Sequence, residues 1–189
     1  MSQRSVYLIK YRTSVNQRAH LALFLPNAPN DRPQLAQTFR EAPCTGTVIH
    51  VIGEPLFAGY ALQFKRNYEC STSLTLKEMI FLGSIDSSYV FNPTDTATFL
   101  LESTPRATIE REATRVDPPP KGQNPRALVD GIHRKDCQDW ILEFLARLLS
   151  KGLIDQSALD LARTHRDPPN LGVFGQHTSS IGQAVAPRG

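Results

Sequence analysis

Apolar and polar positions along the chain change period several times, and each change marks an element. Residues 5–11 (SVYLIKY) are rich in β-formers and predict a first strand. A polar turn at 14–18 follows. Residues 19–25 (AHLALFL) alternate imperfectly and end at Pro26, which predicts a second strand closed by a proline. Residues 27–32 carry turn formers and predict a loop; residues 33–43 fit neither period. Residues 46–52 (GTVIHVI) predict a strand, since β-branched side chains dominate and Gly46 and Gly53 bracket it. Residues 60–66 predict another. Strands at 19–25, 46–52 and 60–66 would form an antiparallel meander. A short helical or turn piece is expected at 74–78, then a strand at 79–85.

The second half is helical. Thr104 before Pro105 reads as a cap ahead of a short charged helix at 106–115. Three consecutive prolines at 118–120 make 117–122 a stiff linker. The strongest helix is predicted over 137–151. There Trp140, Ile141, Phe144, Leu145, Leu148 and Leu149 form one apolar stripe, Asp136 caps the start and Gly152 follows the end. Asp155 opens a second helix at 156–163, making an αα-hairpin. From residue 167 the chain turns to Pro, Gly, Ser and Gln, so 167–189 is expected to be a flexible tail. The fold class is therefore α+β, an antiparallel sheet packed against helices, in one domain at 1–166.

Length and charge narrow the function classes. A chain of 189 residues suits a single core. With 21 Lys and Arg against 18 Asp and Glu the net charge is only +3, and the basic residues do not cluster, which argues against nucleic acid as a partner. No apolar run is long enough for an integral membrane segment, and 6–9 is too short for a signal-peptide core. A cytoplasmic location is the expectation. Cys44, Cys70 and Cys137 are odd in number and widely spaced, so neither a disulfide framework nor a cysteine-rich zinc site is expected.

Chemistry is sought where a nucleophile and a base can be held rigidly. Cys137 opens the strongest helix, where free N–H groups and the dipole favour a thiolate, although Asp136 and Asp139 act in the opposite sense. His20 and His50 lie on predicted strands among apolar neighbours. Each residue alone is more often structural, the cysteine as a small buried hydrophobe and the histidines as hydrogen-bonded core groups. His133 on a loop is an alternative base. Trp140 could line a substrate cleft, yet suits a core anchor better. Gln138 could offer its backbone N–H to an oxyanion. Cys44 and Cys70 are expected to be inert, and His165 and His177 solvated. His20 and His50 without a nearby carboxylate make a poor metal site, so neither metal nor cofactor is expected.

Three strings in order carry a resemblance. They are His20-Leu21-Ala22-Leu23-Phe24, Gly46-Thr47-Val48-Ile49-His50 and Asp136-Cys137-Gln138-Asp139-Trp140. The set resembles the circularly permuted papain-like cysteine hydrolases and acyltransferases, including the lecithin:retinol acyltransferase-like and PPPDE-type families of the NlpC-like superfamily. It is also similar to small uncharacterised fungal proteins of this layout. The resemblance implies a permuted papain-like fold, with His20 as general base, His50 orienting it and Cys137 attacking an amide, ester or thioester of a small-molecule or peptide acyl substrate. Leu21 stands where the families usually have Trp, and Asp136 where they have Asn. The stretch from His20 to His50 is also longer than in the acyltransferases. The alternatives are a non-catalytic binding or scaffold protein on the same fold, or an isomerase or cyclase acting on a small metabolite in the same pocket.

Overall fold

The computed structural model describes residues 2–95 and 97–173. Six strands form one antiparallel sheet: β1 (Gln3–Tyr11), β2 (His20–Pro26), β3 (Thr45–Glu54), β4 (Gly59–Glu69), β5 (Leu76–Asp86) and β6 (Leu100–Glu102), in the spatial order β5-β1-β2-β3-β4-β6. Among the described residues four α-helices accompany it: α1 (Leu35–Thr38), α2 (Thr108–Ala113), α3 (Cys137–Ser150) and α4 (Gln156–Thr164).

The central strands are buried on both faces, and this explains why their alternation is imperfect. Leu21, Leu23 and Leu25 of β2 join Val6 and Leu8 of β1 and Ile49 and Val51 of β3 in a core under α3. Ala22 and Phe24 point the other way and meet Tyr7, Ile9, Val48, Leu35 of α1 and Phe39 directly after it. A strand whose two faces are both covered reads as an apolar run. Residues 33–43, which match neither period, supply α1 and so cover the second face.

The meander β2-β3-β4 agrees with the expectation from the sequence. Both glycines around β3 mark close backbone approach: a Cβ on Gly46 would lie 2.3 Å from the Leu25 carbonyl oxygen, and one on Gly53 would lie 2.0 Å from that of Gly59. Elsewhere the boundaries move. Residues 76–78, expected in a helical or turn piece, are strand, because β5 pairs with β1 as far as Leu76 opposite Tyr11. Lys77 and Glu78 are exposed there, as suits the outermost strand of the sheet. The short helix starts at Thr108 after Ala107, with no side-chain cap, and Thr104 does not cap it. The Glu110 carboxylate accepts instead from the Arg106 backbone N–H at 2.7 Å. The same carboxylate pairs with Arg66 of β4, both side chains 1% exposed.

The proline linker lies across the β3–β4 turn: Pro119 accepts from the Tyr60 N–H at 3.2 Å, and Gly122 donates to Leu56 at 3.0 Å. α3 and α4 form the expected hairpin, with Gly152 in the left-handed conformation after α3. The expected tail, by contrast, does not begin at residue 167. Asp167 is buried, and Val173 is still packed. Residues 174–189, with His177, lie outside the described residues. No helix among the described residues is long and apolar enough to cross a membrane.

Candidate active site

β2 begins at His20, while the neighbouring β3 runs on to Glu54. The sheet is therefore notched at the start of β2. A cleft of about 250 Å³ opens there, lined by Arg18, His20, Val51, Tyr60, Asp136 and Cys137 among others.

The start of α3 is fastened to this notch. Asp136 caps the helix, accepting from the N–H groups of Gln138 at 2.8 Å and Asp139 at 3.4 Å. Asp139 returns the bond, accepting from the Asp136 N–H at 3.0 Å. The second Asp136 oxygen takes Arg18 Nε at 2.6 Å. Ala19, the residue before His20, is held at both backbone groups. Its N–H donates to Asp167 at 2.7 Å, and its carbonyl accepts from Gln138 Nε2 at 2.8 Å. Asp167 also binds Gln138 Nε2 at 2.9 Å and Arg12 at 2.5 Å. The first residue of β2, the first turn of α3 and the segment after α4 are thus one hydrogen-bonded knot.

Two of the histidines are paired. His20 Nε2 lies 2.8 Å from His50 Nδ1, and His50 Nε2 lies 3.1 Å from Gln63 Oε1. An amide oxygen only accepts, so His50 carries its proton on Nε2 and offers a lone pair at Nδ1. His20 then donates from Nε2, and its own lone pair is left on Nδ1. Both rings are held neutral. Burial first, then the charge of Lys65, pushes His20 down to about 4 against a smaller opposing effect of Asp136. Burial, then His20 and Lys65, pushes His50 down to about 3, opposed by the bond to Gln63.

Cys137 approaches from the other face. His20 shares the alternation of Ala22 and Phe24, on the α1 side, whereas Cys137 belongs to the core under α3. The two reach one cleft because His20 is the last residue before the notch. Among the described residues no hydrogen bond joins Cys137 Sγ to either imidazole; the thiol contacts the Ala19 carbonyl at 3.9 Å. The expected thiolate is not favoured. Burial, reinforced by the Asp136 carboxylate, pushes the thiol up to about 12, against smaller opposing effects that include the Leu21 N–H and Arg18. The N–H groups of Leu21 and of Cys137 itself still favour a thiolate, as the helix start would lead one to expect, but burial and the Asp136 charge outweigh them.

The remaining candidates are not among the residues that line the cleft. Trp140 is 1% exposed, stacked on Phe144 with its Nε1 donating to the Val116 carbonyl at 3.1 Å; it is a core anchor and not a substrate contact. The Gln138 backbone N–H is committed to Asp136 and its side chain to Ala19 and Asp167, so it fastens the site and offers nothing to an oxyanion. His133 is an exposed residue bonded to Asp130 at 2.6 Å and does not line the cleft. His165, expected to be solvated, is partly buried beside Glu78 at 3.5 Å. Cys44 and Cys70 are buried free thiols, and burial raises that of Cys70. Among the described residues no three His, Cys, Asp or Glu side chains form a metal-holding group.

Four residues of the site carry no signal of their own in the sequence: Arg18, Tyr60, Gln63 and Asp167. Only the register His50↔Gln63 shows that Gln63 stands opposite a histidine. Tyr60 brings its phenol into the cleft. Burial, then the charges of Cys137 and Asp136, raises its pKa, so it remains a neutral donor.

Fold and site together define the class: an α+β protein whose antiparallel sheet ends in a cleft lined by a cysteine at a helix start and by one member of a histidine pair on adjacent strands. Residues 6–155 match the model of a family described as a family of unknown function (DUF6540), and the chain belongs to that family. The matched span contains His20, His50, Gln63 and Cys137 and stops short of Asp167. No curated protein and no solved structure matches the chain.

Proposed function

We propose that the chain is a cysteine-dependent acyl-transfer enzyme of circularly permuted papain-like type, acting on an amide, ester or thioester of a small-molecule or peptide substrate. The observation that carries this reading is the Gln63–His50–His20 chain, which ends at the cleft containing Cys137 and leaves the His20 lone pair on Nδ1. Such a chain orients a general base. Thiol and imidazole are both neutral at rest, so the proton moves during attack and not before it. As Cys137 Sγ bonds to the carbonyl carbon, the thiol proton passes to His20 Nδ1 and the carbonyl oxygen becomes an oxyanion. The Tyr60 hydroxyl, from the same cleft, would donate to that oxyanion. The imidazolium then protonates the leaving group, and water or an amine resolves the acyl-enzyme.

The second reading is a non-catalytic binding protein on this fold. It draws on the raised thiol pKa and the missing bond between Sγ and an imidazole. One experiment separates the two. The full chain is mixed with p-nitrophenyl acetate, and nitrophenolate release and acetyl adducts are followed by absorbance and peptide mass mapping. Acyl transfer predicts a stoichiometric burst with the acetyl group on Cys137, abolished in Cys137→Ala and slowed at least about a hundredfold in His20→Ala. No burst, or acetylation of Cys137 at the same rate in His20→Ala, leaves the binding reading.

A further inference from the structure

The cleft with Cys137 is also lined by an arginine that the acyl-transfer steps do not use. Arg134 is half-buried there, two residues before the Asp136 cap. It is braced in place. Its Nη1 donates to the Pro125 carbonyl at 2.5 Å, and its own carbonyl accepts from the Gly131 N–H at 3.1 Å. The next residue, Lys135, is clasped by Gln123 at its N–H, 2.7 Å, and at its carbonyl, 3.1 Å. The rest of the guanidinium is unmatched. Nε is buried without a partner, while Nη2 bonds none of the described residues and keeps contact with solvent. The other arginines around the site each have a carboxylate: Arg12 has Asp167, Arg18 has Asp136 and Arg166 has Asp139. Arg134 has none among the described residues. Its charge acts on Tyr60 of the same cleft, opposing burial, Cys137 and Asp136, which all raise that phenol. Arg18 and Arg134 thus face a single carboxylate, Asp136, whose oxygens are taken by Arg18 and the helix start. With thiol and imidazole neutral, the cleft carries one uncompensated positive charge, and a fixed cation half out of water lacks an anion.

We propose that Arg134 is the specificity residue of the cleft and that its guanidinium binds a carboxylate of the substrate. A braced guanidinium with an outward Nη2 suits a carboxylate oxygen, and little side-chain freedom is lost on binding. Arg134 and Cys137 are three residues apart, so their Cα atoms lie at most about 11 Å from each other. The carboxylate therefore sits only a few bonds from the carbonyl that Cys137 would attack. Resting on the acyl-transfer reading, this narrows the substrate to a small acyl compound with one free carboxylate near its scissile bond, such as an N-acylated amino acid. One negative charge on the substrate matches the one excess positive charge of the cleft.

The probe is N-acetylglycine, with N-acetylglycinamide as its neutral counterpart and inorganic phosphate as a different anion. Each is titrated into the full chain while the arginine Nε–H and His20 imidazole NMR signals are followed. The expected result is saturable binding of N-acetylglycine that moves both signals. Affinity should fall about tenfold or more in Arg134→Met and be largely kept in Arg134→Lys, with N-acetylglycinamide and phosphate binding less tightly. Retention in Arg134→Lys shows that the loss in Arg134→Met reflects charge and not misfolding, and unshifted His20 signals in the ligand-free Arg134→Met chain report the same. The proposal is overturned if N-acetylglycine does not bind, if N-acetylglycinamide binds as well, if phosphate binds more tightly, or if Arg134→Met binds like wild type. The readout is binding and needs no reaction at Cys137. Binding of N-acetylglycine without an acetyl burst from p-nitrophenyl acetate would therefore sink the acyl-transfer reading alone, and a burst without such binding would sink the role of Arg134 alone.

Discussion

At the level of single residues, His20 and His50 tie stability to pH. Their ordinary value is 6.5, and the fold holds them at about 4 and about 3. Between these values the unfolded chain binds protons that the folded chain refuses, so stability falls as pH falls. The loss begins near pH 6.5, ends near 4 for His20, and continues to about 3 for His50. Within the window each histidine contributes roughly 1.4 kcal/mol per pH unit. Urea unfolding between about pH 7 and pH 5 should show this slope, and His50→Asn should remove about half of it while leaving an acceptor for His20. An unchanged slope in the variant would mean that His50 is not a buried neutral base. Both histidines were legible as strand residues with apolar neighbours. Their pairing was not, since it depends on the register of β2 with β3, and the polarity of the pair depends on Gln63 of β4.

The element that matters most is the first turn of α3. Stripe, cap and following glycine made this helix plain in the sequence, and its observed bounds differ by one residue from those expected. The pattern set the Asp136 charge against a thiolate, but it could not reveal the burial of Cys137, which raises the thiol more than that charge does. Asp136 both fastens the turn and opposes a thiolate, and these roles separate by substitution. Asp136→Ala should cost about 1–2 kcal/mol for the cap, with a further loss because Arg18, its side chain 8% exposed, keeps its bonds to Gln138 and Pro168 but loses its carboxylate. Asp136→Asn keeps an acceptor for the helix start but removes the charge. Its Cys137 thiol should titrate lower, and iodoacetamide should alkylate it faster than wild type at any pH where the wild-type thiol is protonated. Equal alkylation rates would show that Asp136 does not govern the sulfur.

Across the whole molecule, residues far apart in sequence converge on Asp167. Its carboxylate ties Arg12 after β1, Ala19 before β2 and Gln138 in α3. Burial raises its pKa, but these hydrogen bonds and the Arg12 charge outweigh it and hold the group below the usual carboxylate range. Asp167→Ala should destabilise the chain by about 2–4 kcal/mol in urea unfolding, because it leaves a partly buried guanidinium without its carboxylate and strands the buried Ala19 N–H. A change under about 0.5 kcal/mol would place the segment after α4 outside the cooperative fold. Composition pointed the other way at this position. Asp167 stands directly before two prolines and a run of turn residues, which locally reads as the start of a tail.

The sequence alone determined what depends on local periodicity: the strands of the meander, the helical hairpin, the cap of α3, and the residue types able to act as nucleophile and base. Those features rest on neighbours within a few residues, so the chain displays them directly. Only the tertiary structure decided which residues meet. Strand register set His20 against His50 and His50 against Gln63. The notch at the start of β2 brought His20 and Cys137 to one cleft from opposite faces of the sheet. Burial then placed the proton on the thiol and kept the imidazoles bare. Protonation follows solvent access and nearby charge, and both are properties of the assembled fold that no stretch of chain carries alone.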